Sequence, residues 1–507
     1  MASICTRRSF LRTGLTASLG LTLGSRSRAQ NAPLTKKPNL VVLLPDQLRA
    51  DTLACYGSKL SVAPNLDRLA SQSFVFQQAY VSQPICTPSR STLLTGTWPH
   101  TNGCVHNETV LDHRFACLPE LLGDPDYRWA YMGKWHLGGE LSAQRGFTDW
   151  VSIMDGHLAG VNDPKAISDY SRFLFSSGQK PRGKHPHPWF TQGDAARMPI
   201  GLSQPYFLAA RACEFLERHQ RDPFVLFVAY FEPHPPYTGP LNDLHPINEI
   251  EPDPTFRQRF GTDMPHRYAL LQERDRKVYG SKVAKHLRIK QHYLGLVSEV
   301  DRSAGAILSK LESLNLNDRT IVVHTSDHGE MMGAHGLYGK AVLFQEATRV
   351  PFVVRMPGLR NSVAIEQPFS QIDFVPTILE LLGDESSAHC AGRSRAGVLQ
   401  GEPMPAESIY MEWAFEPYQT RRAEKDWGQA ENQPALHETT RAIVSADGWK
   451  LCLRDSDRNE LYNLRTDPRE QTNLYGQSGT RDVTSRLGGQ IYAWQETVSD
   501  SAKVSSV

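Results

Sequence analysis

Cys86 opens a segment, Cys-Thr-Pro-Ser-Arg-Ser-Thr-Leu-Leu-Thr-Gly, that sets a thiol one helical turn before Arg90 if a helix starts there. A helix N-terminus adds partial positive charge, so the arrangement suits an anion held beside a nucleophile. Carboxylates occur elsewhere in two short polar pairs, Asp46-Gln47 and Asp327-His328. Oxygen and imidazole donors of this kind are what a divalent cation takes. Lys134 and His136 share Gly133-Lys-Trp-His-Leu-Gly138, His234 lies in Glu232-Pro-His-Pro-Pro-Tyr237, and Lys340 closes Gly336-Leu-Tyr-Gly-Lys340. Each has an ordinary alternative when taken singly: a buried thiol behaves as a small hydrophobe, and a loop lysine or histidine is usually solvated.

The elements that carry these groups read as strands. Asn39–Leu44 is a continuous apolar run that ends at Pro45-Asp46-Gln47. Phe74–Phe76 leads toward the Cys86 turn, Arg128–Met132 ends at Gly133-Lys134, Pro223–Tyr230 ends at Glu232-Pro233-His234, and Arg319–His324 ends at Ser326-Asp327-His328. Helical patterns lie between them: one starts at Ala63-Pro64-Asn65 with Leu66, Leu69 and Ala70 on one face, and others cover Ala209–Arg218 and Tyr293–Leu311. Apolar strands alternating with helices predict an α/β fold, a large mostly parallel sheet with helices on both faces. Ligands of such sheets sit beyond the carboxyl ends of the strands. The polar clusters fall there, which predicts one site.

In order and spacing these motifs resemble the type I, formylglycine-dependent sulfatases of the alkaline phosphatase-like superfamily, over about residues 38–475. The resemblance implies that Cys86 is oxidised after translation to formylglycine, an aldehyde whose hydrate attacks sulfur. It implies Asp46, Gln47, Asp327 and His328 as ligands of one divalent metal, with Cys86 contributing the group derived from it. Calcium is the metal favoured; the imidazole keeps manganese and magnesium as alternatives. Arg90 would stabilise the hydrate, Lys134 would contact sulfate, and His136 would take the proton that lets sulfate leave. His234 would protonate the bridging oxygen, with Lys340 supporting it electrostatically. Gln47 and His328 depart from the family's commoner Asp and Asn. The activity implied is hydrolysis of sulfate monoesters, of carbohydrates and of simple aryl alcohols. Phosphonate or phosphate ester hydrolysis on the same scaffold is the alternative, and a non-catalytic binding protein follows if Cys86 stays a thiol.

A chain of 507 residues with 40% apolar and 21% charged residues can bury a large core. Its net charge of +1 provides no global field for a nucleic-acid backbone. Residues 1–29 read as a twin-arginine export signal, from Arg7-Arg8 through the apolar stretch Leu15–Leu23 to Ser27-Arg28-Ala29. That predicts a periplasmic or secreted protein, matured by a formylglycine-generating enzyme before export, with no transmembrane anchor. An oxidising compartment permits disulfides among Cys55, Cys104, Cys117, Cys213, Cys390 and Cys452, in a pairing the sequence leaves open. Residues 156–205, including the His-rich Lys184–Trp189, and residues 235–285 read as long surface excursions. The α/β domain is expected over 38–383. A smaller α+β subdomain follows over 384–500, its antiparallel strands at Arg441–Ser445 and Trp449–Leu453 joined at Asp447-Gly448.

Overall fold

The computed structural model describes residues 37–107, 109–156, 166–182, 189–384, 389–414 and 430–507. The export signal and most of the His-rich segment lie outside them. Strand β1 (Asn39–Asp46) alternates its side chains between two apolar layers. Leu40, Val42 and Leu44 enter one layer with Phe227 and Val323, while Val41 and Leu43 enter the other with Leu226 and Val322. A strand buried on both faces must read as an unbroken apolar run, and this one does.

The remaining strands of this sheet are β2 (Phe74–Phe76), β3 (Arg128–Gly133), β4 (Asp149–Val151), β5 (Phe224–Pro233), β6 (Thr320–Thr325), β7 (Phe352–Arg355) and β8 (Val363–Ile365). Their order is β8-β2-β7-β6-β1-β5-β3-β4. The central strands β6, β1, β5 and β3 are mutually parallel. Their carboxyl ends therefore share one edge, and that edge receives Asp327, Asp46, His234 and Lys134. Strand β7 is antiparallel to β6 and β2, so the sheet is mixed. Parallel neighbours need a crossover. The chain instead turns at the site edge after β6 and re-enters from there.

Helices cover both faces. On one, α1 (Pro64–Ala70) buries Leu66, Leu69 and Ala70, and α3 (Gln204–Arg218) packs along α5 (Val283–Ser313). On the other lies α2 (Cys86–Thr95), with Leu93 and Leu94 in that core and all its residues buried. The excursion expected over 235–285 is not wholly irregular: α4 (His266–Tyr279) forms within it and buries Tyr268, Leu270 and Leu271. The 156–205 stretch likewise contains a helix, Asp169–Ser176, with Tyr170 and Leu174 in the core. Local polarity hid α4, because Arg267, Gln272 and Asp275 are buried against partners distant in sequence.

A second, four-stranded antiparallel sheet follows: β9 (Ile409–Trp413), β10 (Thr440–Val444), β11 (Trp449–Arg454) and β12 (Glu460–Asn463). The turn between β10 and β11 falls at Asp447-Gly448 as its residues require, with Gly448 at φ 86°. Helix α6 (Arg481–Thr497) packs Leu487 and Ile491 onto this sheet. Among the described residues no disulfide forms: Cys55, Cys86, Cys104, Cys117, Cys213, Cys390 and Cys452 are free thiols. No helix among the described residues is long and apolar enough to cross a membrane.

Candidate active site

Cys86 occupies the first turn of α2, following an extended Ile85 at φ −155°, and is fully buried. Its Sγ lies 3.2 Å from His328 Nε2, 3.1 Å from Lys340 Nζ, 3.6 Å from Lys134 Nζ and 3.8 Å from Asp46 Oδ1. Burial and the Asp46 charge push the thiol up, but Lys134, Lys340 and His328 outweigh them and leave it below its ordinary value. The pocket is thus built for negative charge at this atom.

Asp46 ends β1 and Asp327 follows β6, so adjacent strands set the two carboxylates side by side. Like charges this close and this buried need partners. Arg90 supplies one fork, with Nε 2.8 Å from Asp327 Oδ2 and Nη2 3.5 Å from Asp46 Oδ2. Lys134 Nζ adds a contact of 2.5 Å to Asp46 Oδ2. Burial alone would raise Asp46; Lys134 and Lys340 hold its carboxyl well below the usual range. Asp327 Oδ1 accepts the backbone amides of Gln47 and His328, each at 3.0 Å.

His328 donates from Nδ1 to the Gly329 carbonyl at 2.9 Å, which fixes the tautomer and turns the Nε2 lone pair inward. That nitrogen is 3.6 Å from both Asp46 Oδ1 and Asp327 Oδ1. Donor atoms of Asp46, Cys86, Asp327 and His328 all lie within 4.8 Å of one another. Two carboxylate oxygens and a correctly set imidazole fit a divalent cation. Gln47, at φ 72°, directs Oε1 to Lys340 Nζ at 2.7 Å and Nε2 to Glu330.

The other expected residues surround this centre. Arg90 Nη1 donates to Lys134 O at 2.6 Å, tying α2 to the end of β3. Gly133 lets β3 close onto β5 here, since a Cβ there would meet Ala229 O at 1.8 Å. His136, at φ 61°, joins through its backbone: its carbonyl accepts Thr87 Oγ1 at 2.7 Å. His234 packs at a tilt against Phe231, 4.7 Å between ring centres, and donates Nδ1–H to Pro235 O at 2.8 Å. Burial, then Lys340, hold the His234 imidazole well below its ordinary value, so it is neutral in the free site.

Two residues missed in the sequence support the turns. Glu140 accepts Trp135 N at 3.0 Å and His136 N at 2.8 Å. Glu330 accepts Gly339 N at 2.6 Å and Met332 N at 2.9 Å while meeting Gln47 Nε2. Neither repeats with any spacing that would have marked it; only proximity to a strand-end motif was visible. His100, given no role, bridges to Glu412 at 2.5 Å and is structural.

The sulfatase family model matches residues 38–384, and a model of the N-sulphoglucosamine sulphohydrolase C-terminal region matches residues 333–497. The chain is 26% identical to an N-acetylglucosamine-6-O-sulfatase of Bacteroides thetaiotaomicron, over 88% of this chain and 84% of that one. Its fold superposes on an enzyme solved with its substrate D-glucosamine-2-N,6-O-disulfate at a TM-score of 0.70 and 23% identity, covering 92% and 99% of the two chains. It also superposes on a phosphonate monoester hydrolase of Silicibacter pomeroyi at a TM-score of 0.75 and 21% identity, covering 92% and 96%. The matched model spans the buried ring around Cys86 and every strand that positions it, and the chain belongs to the sulfatase family, sulfuric ester hydrolases of alkaline phosphatase-like fold.

Proposed function

We propose that this chain hydrolyses sulfate monoesters of carbohydrates, and simple aryl sulfates, with formylglycine made from Cys86 and a divalent cation, calcium by preference. The carrying observation is the position of Cys86 Sγ, ringed by two ammonium groups, an inward-facing imidazole and a carboxylate. The named activity of the Bacteroides relative supports a sugar sulfate. Asp46, Gln47, Asp327 and His328 would hold the cation, which polarises the sulfuryl oxygens and orients the nucleophile. Formylglycine at Cys86 would, as its hydrate, supply one hydroxyl as nucleophile and a second whose deprotonation lets sulfate leave.

The remaining chemistry belongs to the surrounding side chains. Lys134 and Lys340 bracket the reacting position and stabilise charge there without reorganising. Arg90 keeps the two carboxylates apart from the anion by occupying their outer oxygens. His136, whose carbonyl accepts Thr87 Oγ1 next to Cys86, would take the proton of the second hydroxyl. His234 has Nδ1 committed to Pro235, so Nε2 carries the proton given to the leaving oxygen. It is neutral in the free site, and the entering sulfuryl anion favours its protonated form. Residues 1–29 would export the matured protein by the twin-arginine route to the periplasm or beyond.

The likeness to a phosphonate hydrolase fold favours one second reading, phosphonate ester hydrolysis. Paired aryl sulfate and aryl phosphonate esters of one phenol separate the two. Faster sulfate turnover is expected, and faster phosphonate cleavage contradicts the proposal. A panel of defined sulfated saccharides then identifies the sugar; release from none of them removes the carbohydrate assignment.

A further inference from the structure

Lys340 reaches Cys86 from a loop in an unusual setting. The next residue, Ala341, has φ 72°, a left-handed conformation disfavoured for any residue with a Cβ. Such a residue persists only where its surroundings over-determine it. The Ala341 amide donates to Pro84 O at 3.1 Å, on the turn that leads into Cys86. Its methyl packs with Ile85 and Trp413. Its carbonyl accepts Arg267 Nη1 at 2.6 Å.

Arg267 lies in the first turn of α4 and is buried. The second sheet and the loops beside it flank the side chain. Its guanidinium carbon is 4.3 Å from the centre of the Trp413 ring, on β9, and its Nη1 is 3.8 Å from Glu438 Oε1. Glu438 lies 3.0 Å from Arg454 Nε, and Arg454 Nη2 lies 2.5 Å from Glu460 Oε2, on β11 and β12. Asp457 accepts the amides of His266 and Arg267, each at 2.9 Å. A planar fork stacked on an indole, with one carboxylate beside it, keeps its orientation. It points at the Ala341 carbonyl.

We infer that Arg267 is a positioning residue for Lys340, through which the C-terminal sheet sets the leaving-group side of the reaction. This rests on the sulfatase reading above, with Lys340 beside the bridging oxygen. The test uses the full chain, matured with a formylglycine-generating enzyme, its aldehyde content measured by mass. Steady-state rates are taken on aryl sulfates of graded leaving-group acidity for wild type, Arg267→Lys and Arg267→Lys with Ala341→Gly. A small misplacement at a reacting centre costs up to about 100-fold. Arg267→Lys is therefore expected to lower kcat roughly 10–100-fold for poor leaving groups and less for good ones, with KM little changed. Glycine adopts the left-handed setting freely, so adding Ala341→Gly restores part of that kcat.

Unchanged kcat in Arg267→Lys, or a uniform loss across leaving groups that Ala341→Gly does not relieve, overturns the inference. If Arg267→Lys fails to fold, Trp413→Leu removes the stacking face instead and is judged by the same slope. A wild type with full aldehyde and no turnover overturns the sulfatase reading and the role of Arg267 with it. An active wild type beside Arg267 variants of unchanged rate overturns that role alone.

Discussion

Lys134 and Lys340 offset the buried Asp46 carboxylate, and both also stand within 4 Å of the Cys86 sulfur, where an apolar core would ask for neither. The charges are arranged to favour negative charge at that sulfur. The same logic applies to His234, which burial and Lys340 keep neutral until an anion arrives. An acid that gains its proton in the complex should titrate higher there than in the free enzyme. The basic limb of kcat against pH is therefore expected at higher pH than the basic limb of kcat/KM, and His234→Ala should abolish the difference. The same variant should slow aryl sulfates with poor leaving groups by about 100-fold, within the range for general acid catalysis, and those with good leaving groups far less. Coincident limbs in the wild type, or equal losses for all leaving groups, remove His234 from the acid role.

At the scale of elements, four neighbouring parallel strands convert a one-dimensional pattern into a site. Asp46, Lys134, His234 and Asp327 were legible in the sequence because each closes an apolar run, and runs buried on both faces end at one edge. What lay hidden was whatever depends on partners far along the chain. Strand β7 pairs antiparallel because its chain never leaves the site edge. Helix α4 carries Arg267 inside a stretch whose Pro, Asp and Arg content reads as surface. Glu140 and Glu330 act by accepting backbone amides, a role without a sequence signature. Gly133 shows how tightly the edge is closed. It has φ 115°, and a Cβ would meet Ala229 O and its carbonyl carbon, both backbone atoms that cannot swing aside. Gly133→Ala is expected to destabilise the fold by about 3 kcal/mol or more, from overpacking added to backbone strain. Urea unfolding measures this, and a loss below about 1 kcal/mol would show that β3 and β5 are not pressed together as described.

Over the whole molecule, stability should depend on pH through groups outside the reacting centre. Glu232 and Glu299 face one small cavity beside His234, and each keeps a buried oxygen without a hydrogen-bond partner among the described residues. Burial pushes Glu232 up to about 7 and Glu299 up to about 8. Unfolded, a glutamate titrates at about 4.3. The folded state thus retains protons that the unfolded chain has released. Their contribution is complete below about pH 4 and is lost as pH rises through 7 to 8. Glu299→Gln is expected to raise Tm above wild type at about pH 9 and to leave it nearly unchanged at about pH 5. Equal Tm shifts at both values contradict a proton held at this pair.

Everything proposed for the reaction depends on one chemical change at Cys86. Mass spectrometry of the peptide that carries it, on samples matured to different extents, can be set against their aryl sulfatase activity. Turnover is expected to rise in proportion to the fraction in which one oxygen has replaced a sulfur and two hydrogens, and to vanish with that fraction. Full activity in a sample whose Cys86 peptide is entirely thiol would contradict the account.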